Sequence, residues 1–255
     1  MSIKNLFRFL ARLFVRRKTR RRVKRTALML LVGLFALPLF AAPPAADDAP
    51  IQDNSFLVEE AYNQEPGVVQ HIFTFSRTHS GTWAGTFTEE WPVGSVRHQL
   101  SYTPVFVRND GIRSNDFALN YRLQLLGNGE SRLAVAPRLT VMRSAVQVML
   151  PASVVVSQHF VTHWNVGATS YPRTLNAGQS VVWLASHRVN FLVETVWTHT
   201  DHATSVVVSP GIRWSYNLPR GLQIVPGLAV PFDRTQHRRS AFLYLSFEHP
   251  FRGES

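Results

Sequence analysis

The chain has 255 residues, no cysteine, 27 Lys and Arg against 16 Asp and Glu, and a formal charge of +11. The lack of cysteine excludes disulfides and a lipid-anchored cysteine. Eleven basic residues fall between Lys4 and Arg25, and the rest of the chain carries sixteen arginines, no lysine and sixteen acids, so the folded part has no positive excess with which to neutralise phosphates, and no nucleic-acid partner is expected.

Residues 1–42 read as an export signal with a long basic region. Arg16, Arg17, Lys18 and Arg20 to Arg22 lead into the apolar run Ala27 to Phe40, followed by Ala41 and Ala42. The run suits a signal core and is short of the roughly 20 residues a spanning helix needs. An uncleaved anchor is the alternative, because Leu39 and Phe40 stand where a small-x-small cleavage site wants small residues.

Residues 43–67 are expected to form a periplasmic lead-in. Positions 43–52, rich in Pro, Ala and Asp, read as a flexible tether. The polar cluster Glu59, Glu60, Tyr62, Asn63 and Glu65 follows. It suits either a plug that constricts a barrel lumen or a solvated segment that pairs with barrel arginines.

From Val68 the chain alternates with period two. Phe117, Leu119, Tyr121, Leu123 and Leu125 share one face, and Ala118, Asn120, Arg122 and Gln124 the other. Twelve strands are expected, at 68–77, 82–92, 98–108, 113–126, 131–143, 145–157, 159–171, 179–187, 189–198, 204–217, 222–233 and 240–251. Asn-Asp-Gly at 109–111, Gly-Asn-Gly-Glu at 127–130 and Asn-Leu-Pro-Arg-Gly at 217–221 punctuate them with turn formers. In the last strand Ala241, Leu243, Leu245, Phe247, His249 and Phe251 oppose Ser240, Phe242, Tyr244, Ser246 and Glu248.

This pattern predicts an all-β, transmembrane, antiparallel up-and-down β-barrel spanning 68–251, with a short tail at 252–255. A secreted β-sandwich would also alternate. Its strands run about five or six residues, and its core would not bury single Arg and Glu side chains. Prolines at 104, 137, 151, 210, 226 and 231 interrupt good alternation and are expected at bulges or rims.

Alternation alone assigns an inward set: Glu90, Asn120, Arg122, Gln124, Arg132, Arg138, His163, Asn165, Glu194, Arg213, Tyr244 and Glu248. These residues either tune a polar path or fill a closed interior with Arg–Glu ladders. His163 with Ser153 or Ser157 is the best candidate for hydrolytic chemistry, as in outer-membrane lipases, but no serine signature accompanies it and an enzyme is not expected. His159 and His163 share a strand face about 13 Å apart, too far for one ion. The turn at His199 to His202 reads as solvated, so neither metal nor cofactor is expected. Arg234, His237, Arg238 and Arg239 in a short outer loop suit lipopolysaccharide phosphates or plain solvation.

Three passages carry a family resemblance: Asp53 to His71, Ser209 to Gly227, and Phe242 to Phe251. Together they resemble the bacterial outer-membrane barrels named for the MetA pathway of phenol degradation, described as transporters. The resemblance implies an outer-membrane location and a link to aromatic-compound uptake. The barrel reading itself carries outer-membrane lipid and lipopolysaccharide, the barrel assembly machinery, and a small-molecule solute of aromatic or apolar character as expected partners. It supplies no catalytic residue. The chain departs from the usual barrel ending, in which the aromatic is last, because Arg252 to Ser255 follow Phe251. The expected role is passive or selective passage of small molecules. The alternatives are a structural or lipid-contacting barrel with a closed lumen and a lipid-modifying enzyme.

Overall fold

The computed structural model describes residues 50–109 and 112–250. The expected signal (1–42), the turn at 110–111, Phe251 and the tail lie outside the described residues. The strands are β1 (Val68–Thr78), β2 (Trp83–Val93), β3 (Ser95–Asn109), β4 (Ile112–Leu123), β5 (Leu133–Val135), β6 (Arg138–Met142), β7 (Val146–Ser157), β8 (Phe160–Thr169), β9 (Thr174–Ser186), β10 (Val189–Thr200), β11 (Thr204–Trp214), β12 (Tyr216–Leu218), β13 (Leu222–Ala229), β14 (Phe232–Asp233) and β15 (Arg238–Pro250).

Neighbouring staves of the wall pair antiparallel, and β1 closes on β15 in unbroken register from Val68↔Pro250 to Thr78↔Ser240. β5 with β6, β11 with β12, and β13 with β14 each make one interrupted stave. The wall is therefore a closed barrel of twelve staves, and closure leaves no unpaired sheet edge. We call the end where the chain enters β1 the near end, and the other the far end.

The polarity of the wall is inverted relative to a soluble fold. The largest fully buried side chains include Arg213, His163, Gln70, Gln99, Glu194 and Asn190. The exposed ones include Leu119 (51% exposed), Val148, Val166, Val193 and Phe73. A sandwich would bury the second set and expose the first. An apolar outer surface of this extent suits lipid. Aromatics gather towards the two ends of the staves. Phe160, Trp183 and Phe191 form a cross-strand row near the near end, with Trp183 and Phe191 stacked at 5.5 Å. Phe75 with Trp83, and Trp197 with His199, lie towards the far end. Trp164 departs from this arrangement, standing inside β8 and 46% exposed.

The prolines sit where the ladder is already broken. Pro137 and Pro231 fall between β5 and β6 and between β13 and β14, dividing their staves. Pro151 and Pro210 stand opposite those two breaks. Pro104 faces an interval between Thr86↔Val105 and Glu89↔Tyr102 in which β2 and β3 lose register pairing. A residue without an N–H is tolerated where no partner carbonyl is in line.

Candidate functional site: a strap across the lumen

Residues 51–64 run through the barrel interior over its near half. Ile51 and Gln52, read from sequence as tether, are part of this strap. The Ile51 N–H donates to the His187 carbonyl (2.8 Å), and its side chain is buried with Val225, Ala229, Phe242 and Tyr244. The tether reading therefore fails at these two positions: an isoleucine able to bury its side chain has no reason to stay in water.

Polar side chains of the wall satisfy the strap's backbone. Asn190 Nδ2 (2.9 Å) and Arg213 Nη1 (3.2 Å) donate to the Gln52 carbonyl, and Arg213 Nη1 also donates to that of Asn54 (2.5 Å). Glu194 Oε1 accepts three successive N–H groups, from Phe56 (3.0 Å), Leu57 (2.6 Å) and Val58 (3.0 Å). A bend that turns consecutive N–H groups to one side forms a concave anion site, and here the anion is a wall carboxylate. The Asn165 amide, oriented to suit both partners, meets the Glu59 N–H (2.7 Å) and carbonyl (2.9 Å). Gln124 accepts from Asn63 N–H (3.0 Å) and donates to the Ala61 carbonyl (2.7 Å). Gln99 accepts from Gln64 N–H (2.7 Å). A buried strand-free backbone must find such partners, since an unpaired group costs about 1–3 kcal/mol.

The Ser153–His163 pair belongs to the same network. Ser153 Oγ lies 2.8 Å from His163 Nδ1, and His163 Nε2 lies 2.9 Å from the Asp53 carbonyl. A carbonyl only accepts, so Nε2 carries a proton and donates it to the Asp53 carbonyl. Ser153 Oγ also accepts from Ala61 N–H (2.8 Å), and the Tyr62 ring lies edge-on to His163.

The strap's acids meet wall arginines. Arg122 and Arg138 are direct cross-strand partners on β4 and β6. Glu59 pairs with Arg138 and reaches Arg122 Nη2 at 3.8 Å, Glu60 lies 3.5 Å from Arg122 Nη1, and Arg122 donates to the Tyr62 carbonyl (2.6 Å). Towards the far end, a cavity of about 190 Å³ lies between the strap and the wall, bordered by Thr74, Thr88, Thr103, Glu90, Arg122 and Arg138.

Strap side chains fit recesses where the wall has no side chain. The Phe56 ring lies over Gly211 and Gly227, whose added Cβ atoms would each come within 2.6 Å of it, and against Phe242 and Tyr244 at 5.4 and 5.3 Å. Val58 lies over Gly178 in the same way, at 3.0 Å. A glycine inside a strand marks a close approach of this kind.

Most of the inward set faces this interior. Glu90 accepts from Gln99 (2.9 Å), Asn120 bonds Ser101 and Thr140, Glu248 accepts from Gln70, and Tyr244 packs under Arg213 at 5.1 Å. Arg132 is a correction. It precedes β5, is exposed, and its carbonyl accepts from Val155 N–H (2.9 Å). The alternation was extended one step past the strand into a turn. Of the lead-in cluster, Glu59, Glu60, Tyr62 and Asn63 engage the wall, while Glu65 is exposed. Sequence reading missed Gln70, Gln99, Asn190, Phe56 and the three glycines. Glycine inside otherwise regular alternation was the available signal.

No protein-family model matches the chain, and no curated protein matches it. Its fold does match solved outer-membrane barrels. The NanC porin aligns with a TM-score of 0.57 at 9% identity over 69% of this chain and 98% of that one. The KdgM porin aligns at 0.54 and 7% identity over 70% and 98%. The COG4313 outer membrane channel from Pseudomonas putida F1 aligns at 0.51 and 10% identity over 74% and 97%. At such identities the likeness is one of fold.

Proposed function

We propose that this chain is an exported outer-membrane channel for small solutes, held closed by residues 51–64. The near end is then periplasmic, and the exposed apolar belt meets outer-membrane lipid. The observation that carries the reading is a polar interior whose side chains bond the strap's backbone, so that a removable segment rather than the wall occludes the lumen. The three solved barrels described above are two porins and a channel, and the KdgM porin is also solved in complex with disordered oligogalacturonate, which supports a solute as partner. Aromatic or apolar character for the solute rests on the three passages that resemble the MetA-pathway barrels. The far-end cleft of about 730 Å³, with Arg234, Arg238 and Arg239 on its border, suits lipopolysaccharide phosphates as a lipid partner. An enzymatic role is disfavoured because the Ser153 hydroxyl and both His163 nitrogens are engaged and the strap covers them.

A structural barrel with a permanently closed lumen is the second reading, favoured by how many strap groups the wall satisfies. Planar-bilayer recording decides between them. The intact chain is expected to show rare openings, and a variant lacking 51–64 is expected to conduct steadily. A folded, heat-modifiable deletion variant that never conducts would overturn the channel reading and leave the structural one.

A further inference from the structure

Arg122 and Arg138 stand directly opposite one another across the β4–β6 ladder, with side chains 4% and 15% exposed. Like charges at directly paired positions repel, and guanidiniums removed from water need anionic partners. Among the described residues, no acid of the barrel wall makes an ion pair with either one. Their ion-pair partners are Glu59 and Glu60, both on the strap. The nearby wall carboxylate Glu90 instead accepts from Gln99. Nε of each guanidinium is buried and has no partner, so each retains a donor beyond the contacts it makes. Both arginines also border the 190 Å³ cavity beside the strap.

From this juxtaposition we infer that the Arg122–Arg138 pair is a binding site for dicarboxylate solutes, and that Glu59 and Glu60 occupy it as a built-in competitor. The inference rests on the channel reading and names its solute class and its trigger. Two adjacent side-chain carboxylates against two adjacent guanidiniums define a ligand with two carboxylates a few ångströms apart. Paired guanidiniums recognise such groups through forked, charge-assisted hydrogen bonds. A solute that takes the arginines from Glu59 and Glu60 leaves those part-buried carboxylates without ion-pair partners. The strap is thereby driven out of the lumen, and a dicarboxylate opens its own path.

The sequence has no cysteine, so Leu57→Cys, at a half-exposed strap position, accepts a single nitroxide whose mobility reports strap release. The labelled full chain is titrated in detergent with phthalate or succinate. The controls are phthalamide, succinamide and sodium chloride at equal ionic strength. We expect the dicarboxylates to raise the mobile fraction several-fold, the diamides and chloride to leave it unchanged, and Arg138→Gln to abolish the response. Glu59→Gln with Glu60→Gln should mobilise the label with no ligand added. The inference is overturned if the label ignores dicarboxylates while that double variant is mobile, or if the double variant stays immobile. Because mobility is read without current, a responsive label on a barrel that never conducts sinks the channel reading and leaves the site standing.

Discussion

Phe56 shows how a single strap residue is keyed to the wall. Its ring occupies the space that side chains at Gly211 and Gly227 would fill, and it tilts against Phe242 and Tyr244. Gly227→Ala puts a methyl within 2.6 Å of the ring, and overpacking of this kind costs about 1–3 kcal/mol. That cost falls on strap docking, because an added methyl leaves the backbone pairing of β13 with β15 unaltered. Gly227→Ala is therefore expected to raise open-channel probability without lowering the temperature at which the barrel loses its heat-modifiable mobility. Phe56→Leu, placed on the Gly227→Ala background, should restore closure in part. Non-additivity in this double-mutant cycle checks the contact. An unchanged open probability in Gly227→Ala would remove Phe56 from the closing mechanism.

The strap is expected to open as one element because its central bonds converge on one acceptor. Three N–H groups share Glu194 Oε1, and Ala61, Asn63 and Gln64 bond Ser153, Gln124 and Gln99 further along. Glu194→Gln keeps an acceptor oxygen and removes its charge. Charged acceptors exceed neutral ones by roughly 1 kcal/mol per bond, so the loss is about 1–3 kcal/mol. Amide exchange at Phe56 to Val58 is expected to quicken by about tenfold or more, and Ala61, Asn63 and Gln64 should quicken with them. Acceleration confined to Phe56–Val58 would show instead that the strap opens piecemeal. Elements of the wall were legible in the sequence, because an apolar outer face and polar contacts inside impose period two on every stave. The start of β9 departs furthest from that reading. The reading placed it at 179, whereas the strand begins at Thr174, because Asn176 and Gly178 look like turn residues until Val58 is seen against Gly178. The docking of the strap was not legible. Its bonds run from its own backbone to wall residues up to 161 positions away, and backbone groups leave no residue-type signature. The polar cluster at Glu59 to Glu65 hinted at a plug and could not name its partners.

For the whole molecule, the inverted polarity makes a demand that a soluble fold would not. Leu119 lies within β4, paired with Tyr102 on one side and Val141 on the other, and is 51% exposed. In water, arginine at such a position would be nearly neutral, as surface substitutions are. On the channel reading it faces hydrocarbon, where arginine at the bilayer midplane costs about 2–4 kcal/mol, falling towards zero near the interfaces. Leu119→Arg is therefore expected to lower the folding free energy by that amount when measured by reversible denaturant titration in lipid vesicles. Val96→Arg, outward at the near-end rim, should cost far less. The difference between these variants reads the depth of each position in the membrane, independently of whether the lumen conducts. Equal and small costs at both sites would place the apolar belt against something other than a bilayer. A gradient between the two sites would instead support a barrel set across one, as proposed, with the strap entering from the end at which the chain joins the wall.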